Sequence, residues 1–268
     1  MQFSLLLSLY NGEKASNFEQ AMDSVVRSSR QPDEVVLVLD GPVRPELSEL
    51  VERYRSSLPM VVVPLEKNVG LGKALNIGLQ QCRYPWVARF DTDDINEPER
   101  FALQLAQLER DPQLDIIGSS IAEFAEDPQH IRSYRAAPES HEEIMKYGQR
   151  RNPFNHMTVM YRKEAVLRCG SYGNEYFYED YALWVRLLLS GAKGMNLQQP
   201  LVRARTDLSM YRRRGGWRYA RQEIAAQYTF YSLGFIGLGR FVLNCIQRTP
   251  ARLLPPFVRE RIYLRLLR

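Results

Sequence analysis

The amino-acid sequence predicts an α/β protein, a mostly parallel sheet with helices on both faces. Three observations carry this reading. Strand-like and helix-like segments alternate through the first 120 of 268 residues at the spacing of β-α-β units. Turn signals such as Asp40-Gly41-Pro42 close the strand-like runs. Carboxylates gather directly after an apolar run, in Arg89-Phe90-Asp91-Thr92-Asp93-Asp94, and strand ends are where open parallel sheets bind ligands.

Residues 3–9 form an apolar first strand. Residues 17–28 place Phe18, Ala21, Met22, Val25 and Val26 on one helical face. A β-branched strand follows at 34–39, then a helix at 45–56, a short strand at 60–64 and a glycine-opened helix at 72–81. Residues 86–90 are the strand before the acids. The helix at 100–109 aligns Phe101, Leu105 and Leu108, and a strand ends at 116–118. The pattern then loosens: 150–160 is mixed, 163–168 a short helix, and 178–190 a strong helix. An Arg/Tyr-rich stretch covers 203–221, and 228–268 is apolar and basic.

Composition is that of a globular chain, 45% hydrophobic and 25% charged. Cys82, Cys169 and Cys245 fit neither a disulfide framework nor zinc-ligand spacing, which points to a reducing compartment. The first residues lack a basic n-region and read as a buried strand, not a signal peptide. From Leu201 onward there are fourteen Arg and no Lys against Asp207, Glu223 and Glu260. That is a net +11, leaving −6 for residues 1–200 out of +5 overall. An acidic body with a basic end, and no helix-turn-helix, zinc-finger or RNP pattern, excludes a nucleic-acid-binding domain.

Three carboxylates within four residues repel one another and are poor core material unless a cation or strong donors neutralise them. Hard oxygen ligands that stay partly open suit Mg²⁺ or Mn²⁺ on a phosphate; the alternative is a solvated acidic loop. Asp40 closes the second strand as either a ligand contact or a turn residue. Asp180 opens a helix, where capping alone would explain it. Gly70, Gly72 and Lys73 stand at a helix start that could cradle a diphosphate, although the spacing is neither a Walker A nor a dinucleotide pattern. His156 is either a phosphate or acceptor partner or a satisfied structural histidine. Trp184 is either a platform under a sugar ring or core.

Arg89-Phe90-Asp91-Thr92-Asp93-Asp94-Ile95, followed by Pro98-Glu99-Arg100-Phe101 and Gln104, resembles the nucleotide-sugar core of family 2 glycosyltransferases, inverting enzymes of the GT-A fold. Ser8-Leu9-Tyr10-Asn11, Leu39-Asp40-Gly41, Asn68-Val69-Gly70 through Asn76-Ile77-Gly78, and Tyr178-Glu179-Asp180-Tyr181-Ala182-Leu183-Trp184 match further motifs in order. The resemblance implies a nucleotide-sugar-binding half at 1–120 and an acceptor-binding half at 121–220. It implies Tyr10 stacked on a base such as uracil, Asp40 on base or ribose, Asp91 on ribose or metal, and Asp93 as ligand to Mn²⁺ or Mg²⁺. Lys73 would help hold the diphosphate, Asp180 would be the general base, and Glu179, His156 and Trp184 would lie on the acceptor side. Leu39 departs from the paired acids usual after the second strand, and the Gln-x-x-Arg-Trp motif of processive members is absent. Single addition to a saccharide or lipid-linked acceptor in bacterial surface polysaccharide or lipopolysaccharide assembly is what this implies. A sugar-phosphate nucleotidyltransferase and a non-catalytic membrane-bound paralogue are the alternatives.

The run at 230–243 is too short and is interrupted by Arg240, so it does not read as a bilayer crossing. After Pro255-Pro256, Val258, Ile262, Tyr263, Leu266 and Leu267 recur at helical spacing among arginines. Such a helix either lies on an anionic membrane surface or packs on the body. The first option makes 221–268 a membrane-association segment. The protein would then be cytoplasmic and peripheral on the inner face of the plasma membrane.

Overall fold

The computed structural model describes residues 1–206 and 215–254. Its elements in chain order are β1 (Phe3–Leu9), α1 (Ala15–Val26), β2 (Glu34–Leu39), α2 (Pro45–Arg55), β3 (Met60–Pro64), α3 (Leu71–Gln81), β4 (Trp86–Arg89), β5 (Ile95–Asn96) and α4 (Arg100–Arg110). Then come β6 (Leu114–Phe124), β7 (Ile131–Arg135), α5 (His141–Gly148), β8 (Met160–Arg162), α6 (Lys163–Arg168), α7 (Glu179–Leu189), β9 (Lys193–Arg205), α8 (Trp217–Ser232) and α9 (Leu238–Leu253).

One nine-stranded sheet runs in the order β3-β2-β1-β4-β8-β6-β9-β5, with β7 paired to β6. The first four strands are parallel, as expected from their spacing. The second half is mixed: β8 runs antiparallel to both β4 and β6, while β6 and β9 are parallel. Apolar periodicity reports which face a strand buries and is silent on its direction, so the mixed half was not legible.

Two apolar layers sandwich the sheet. Phe18, Met22 and Val25 of α1, Leu47 and Val51 of α2, and Phe101 and Leu108 of α4 cover one face. Leu75 and Leu79 of α3 and Leu183, Trp184 and Leu187 of α7 cover the other, together with Phe230 of α8. Helix α3 lies so close to the sheet that a Cβ at Gly78 would come within 2.6 Å of Leu6 and Val38 side-chain carbons. Helix α5 carries a capping box in which Ser140 and Glu143 satisfy each other's backbone amides, a local signal that the reading of the loosened middle passed over.

The expected division of the chain shifts. The boundary at 120/121 falls inside β6, and that at 220/221 falls inside α8. Helices α8 and α9 form an antiparallel pair joined at Gly234 and held to the body: the Tyr181 and Phe230 rings lie 4.5 Å apart, and Asn244 Nδ2 donates to the Gln149 carbonyl. The apolar set from Val258 to Leu267, and Tyr211 to Arg214, lie outside the described residues.

Candidate functional site

Topology sets the place. In the order β3-β2-β1-β4 the winding reverses at β1, and open α/β sheets bind ligands at such a reversal, outside the carboxyl ends of the strands. Tyr10 follows β1, Asp40 follows β2, and Asp91, Asp93 and Asp94 follow β4, so all five lie along one edge.

Tyr10 is 45% exposed, with its ring lying on Gly12, where a Cβ would come within 2.4 Å of the ring. Asp40 is 4% exposed. The Val69 and Gly70 amides donate to its two oxygens at 2.6 and 3.1 Å, and Asn68 Nδ2 donates to its carbonyl. Both carboxylate oxygens therefore hold the loop that opens α3. Gly41 is required beside it: its φ is +89°, and a Cβ there would stand 2.7 Å from the Asn68 nitrogen. Lys73 is exposed in the first turn of α3.

Asp91, Asp93 and Asp94 bring ligand oxygens within 4.8 Å of one another. Burial, then the charges of Asp91 and Glu13, push Asp93 up to about 7. Asp94 is buried and is also raised well above its ordinary value, by desolvation and then by Asp93 and Asp91. The Arg205 amide donates to Asp94 Oδ1 at 2.7 Å, while Asp94 Oδ2 is buried without a partner. Buried Arg89 pairs with Asp91, and its charge also reaches His156, Tyr172 and Glu179.

The start of α7 approaches the same edge. A Cβ at Gly72 would stand 3.1 Å from Glu179 Cβ, so the first turn of α3 abuts the first turn of α7. Desolvation, then the neighbouring charge of Asp180, push Glu179 up to about 7. Asn152 Nδ2 donates to Asp180 Oδ2 at 2.6 Å, and the Tyr181 amide to Oδ1 at 2.7 Å. His156 Nε2 lies 3.0 Å from the Tyr172 hydroxyl, and burial, with Arg89 nearby, holds its imidazole neutral.

One expectation is corrected outright. Trp184 is 0% exposed, with its ring packed against Phe154, His156 and Tyr161, so it has no face to offer a sugar. It supports His156 from beneath. Arg100 and Gln104 are also structural: Arg100 donates to the Arg89 carbonyl, and Gln104 to the Ile117 and Thr158 carbonyls. Sequence reading missed Arg89, Glu13, Asn152 and Tyr172 as members of the site. A charged residue ending an apolar strand was the available signal for Arg89; the others join from distant segments and left none.

The chain is similar to known proteins over most of its length. Residues 4–173 match the model for "Glycosyl transferase family 2". An amylovoran biosynthesis glycosyltransferase, AmsE of Erwinia amylovora, is 41% identical, covering 97% of each chain. The UDP-Gal:alpha-D-GlcNAc-diphosphoundecaprenol beta-1,3-galactosyltransferase of Escherichia coli is 40% identical, covering 100% of this chain and 97% of that one. Among solved structures, TarS of S. aureus in complex with UDP-GlcNAc superposes with a TM-score of 0.67 at 18% identity, covering 99% of this chain and 76% of that chain. The mannosyltransferase PcManGT from Pyrobaculum calidifontis, in complex with GDP-Man and Mn²⁺, gives 0.65 at 14% identity, covering 96% and 77%. The mixed α/β sheet with its flanking helices is the GT-A type of glycosyltransferase fold. The chain belongs to glycosyl transferase family 2. The nucleotidyltransferase alternative falls with that assignment.

Proposed function

We propose that this glycosyltransferase moves a single sugar from a UDP-sugar to a lipid-linked saccharide, in one inverting displacement, during assembly of a bacterial surface polysaccharide or lipopolysaccharide. One observation carries the reading: Gly72, next to Lys73 on the nucleotide side, stands against Glu179, next to Asp180 on the acceptor side, which brings the starts of the two helices together. The 40% identity to a galactosyltransferase acting on a diphosphoundecaprenol-linked acceptor supports lipid linkage, and makes galactose the first sugar to test.

Tyr10 stacks on the base, Asp40 holds the loop that meets the nucleotide, and Lys73 lies at the diphosphate. Asp180, oriented by Asn152, accepts the proton of the attacking acceptor hydroxyl, because an un-ionised hydroxyl is a poor nucleophile. Glu179 and His156 line the acceptor side. The cluster fits a divalent ion: Asp91, Asp93 and Asp94 offer hard oxygen atoms within 4.8 Å, one of them a buried Asp94 oxygen with no partner. Bound Mn²⁺ or Mg²⁺ there would supply charge stabilisation to the leaving diphosphate.

Membrane attachment belongs to the same reading. Among the described residues no helix is long and apolar enough to cross a membrane. Leu238, Val242 and Ile246 recur every fourth residue on α9 and are exposed, Ile246 to 64%. Together with the basic C-terminal charge, this stripe suits an anionic leaflet. On this reading the protein works on the cytoplasmic face of the plasma membrane, which the exposed stripe supports.

The test is transfer to a synthetic GlcNAc-α-diphosphate-lipid. UDP-Gal, UDP-GlcNAc and GDP-Man are compared in Mn²⁺, Mg²⁺ and EDTA, with the product anomer read by NMR. A β-linked product from an α-linked UDP-sugar is expected. A retained anomer, or no transfer from any UDP-sugar, overturns the proposal.

A further inference from the structure

The C-terminal helix pair touches the site through two consecutive side chains. Phe177 and Tyr178 directly precede Glu179 and Asp180, and both are held by α8. The Phe177 ring stacks on Tyr219 at 4.2 Å and 14°. The Tyr178 hydroxyl donates to Glu223 at 2.6 Å. Tyr219 and Glu223 are four residues apart and share one face of α8. From α9, Arg248 donates to one Glu223 oxygen at 2.7 Å and Arg252 to the other at 3.1 Å, and the Arg252 guanidinium lies over the Tyr219 ring. One junction therefore joins α8, α9 and the start of α7.

Two features of this junction are unexplained by packing alone. Glu223 is 0% exposed, and a buried carboxylate with its ion partners gains no stability over well-packed apolar residues of similar size. Phe177 has φ +71°, a left-handed conformation that a bulky side chain keeps only where its surroundings over-determine it. Helix α7 has no side-chain cap of its own; Tyr178 is its N-cap, and the Tyr178 carbonyl accepts the first helical bond from the Ala182 amide. The direction of the turn that presents Glu179 and Asp180 thus depends on the Tyr178–Glu223 bond and the Phe177–Tyr219 stack.

We propose that Tyr178 and Glu223 are positioning residues for the transfer, making the C-terminal helix pair a working part of the catalytic centre. This rests on the reading of Asp180 as the base. The donor residues Tyr10, Asp40 and Asp93 sit at the ends of β1, β2 and β4, and the donor side meets the start of α7 at Gly72, beside Glu179, rather than at Phe177 or Tyr178. Loosening the junction therefore misplaces the base while leaving nucleotide binding intact. A displacement of about 1 Å in a catalytic group lowers turnover by up to roughly 10²-fold.

The experiment compares wild type with Tyr178→Phe, which removes one oxygen, and with Tyr219→Leu, which removes the stack and carries the same test should the first variant fold poorly. Steady-state kinetics are run on the lipid-linked acceptor, with UDP binding and hydrogen exchange measured alongside. The expected result is a kcat lowered about 10- to 100-fold, a donor KM within about twofold and unchanged UDP affinity. Exchange at the Ala182 amide is expected to speed up while α3 amides stay protected. Wild-type kcat in a folded variant, or kcat and UDP affinity falling together, overturns the proposal. Failure of the wild type itself to transfer sugar would overturn the functional reading instead. Hydrogen exchange still decides the junction in that case, because unchanged protection at Ala182 refutes it without any turnover.

Discussion

Binding of Mn²⁺ to this protein is expected to release protons and to weaken as the pH falls through 7. Unit charges at the outer spacing of the acidic cluster, 4.8 Å, repel by about 3.5 kcal/mol at an effective dielectric of about 20. Burial acts in the same direction and is the larger cause; Arg89 offsets part of the sum. The balance raises Asp93 from 3.8 to about 7. A cation binds the ionised carboxylate, so the proton must leave first. For a group titrating near 7, the apparent affinity at pH 6 is about tenfold below that at pH 8, and about half a proton is released at pH 7. Asp94, buried beside it and also raised, makes the dependence steeper. Free Mn²⁺ counted by electron paramagnetic resonance from pH 6 to 8 measures the slope. Calorimetry in two buffers of different ionisation enthalpy counts the protons. Asp93→Asn should bind more weakly and lose its share of the slope. Wild-type affinity that is flat across this range, with no proton released, would refute the electrostatic account of the cluster.

Other outcomes follow from the same geometry. Asp180→Asn should keep UDP affinity and lower kcat about 10²- to 10⁴-fold, the range for losing a general base; normal turnover would put the base elsewhere. Val242→Asp with Ile246→Asp should release the protein from anionic vesicles in a sedimentation assay while leaving UDP affinity intact, and continued co-sedimentation would remove α9 as the contact. His156 is held neutral, well below its ordinary value, so below about pH 6.5 the unfolded chain binds a proton that the folded one does not. Relative to His156→Gln, the wild type should therefore lose about 1.4 kcal/mol of stability for each pH unit below 6.5. The raised carboxyls of Asp93 and Glu179 act in the opposite sense, and comparing the two proteins by denaturant titration cancels them.

Local patterns carried the reading as far as elements and motifs. Strands β1, β2 and β3 and helix α6 fall on the residues expected, because β-branched runs bounded by turn residues and a short amphipathic segment are encoded within a few neighbours. Helix α1 begins at Ala15, two residues before the expected start at 17, because the Lys14 carbonyl already accepts the first helical bonds and no side chain caps it. Trp184 shows the limit of local pattern. Its spacing to Leu187 and Leu188 was compatible with an exposed platform or with core, and only the rings of Phe154 and Tyr161 make it core.

Composition and order along the chain were enough to establish the α/β class, the acid-bearing strand end and the carboxylate-bearing helix. All three are short-range properties: periodicity, turn chemistry and runs of like charge. The direction of the later strands, the pinning of Asp40 by the loop at 69–70, the meeting of Gly72 with Glu179 and the burial of Glu223 between two arginines needed the folded chain. Each is a contact between segments 25 or more residues apart, and its free energy depends on desolvation and on where the backbone lies, neither of which is written in neighbouring residues.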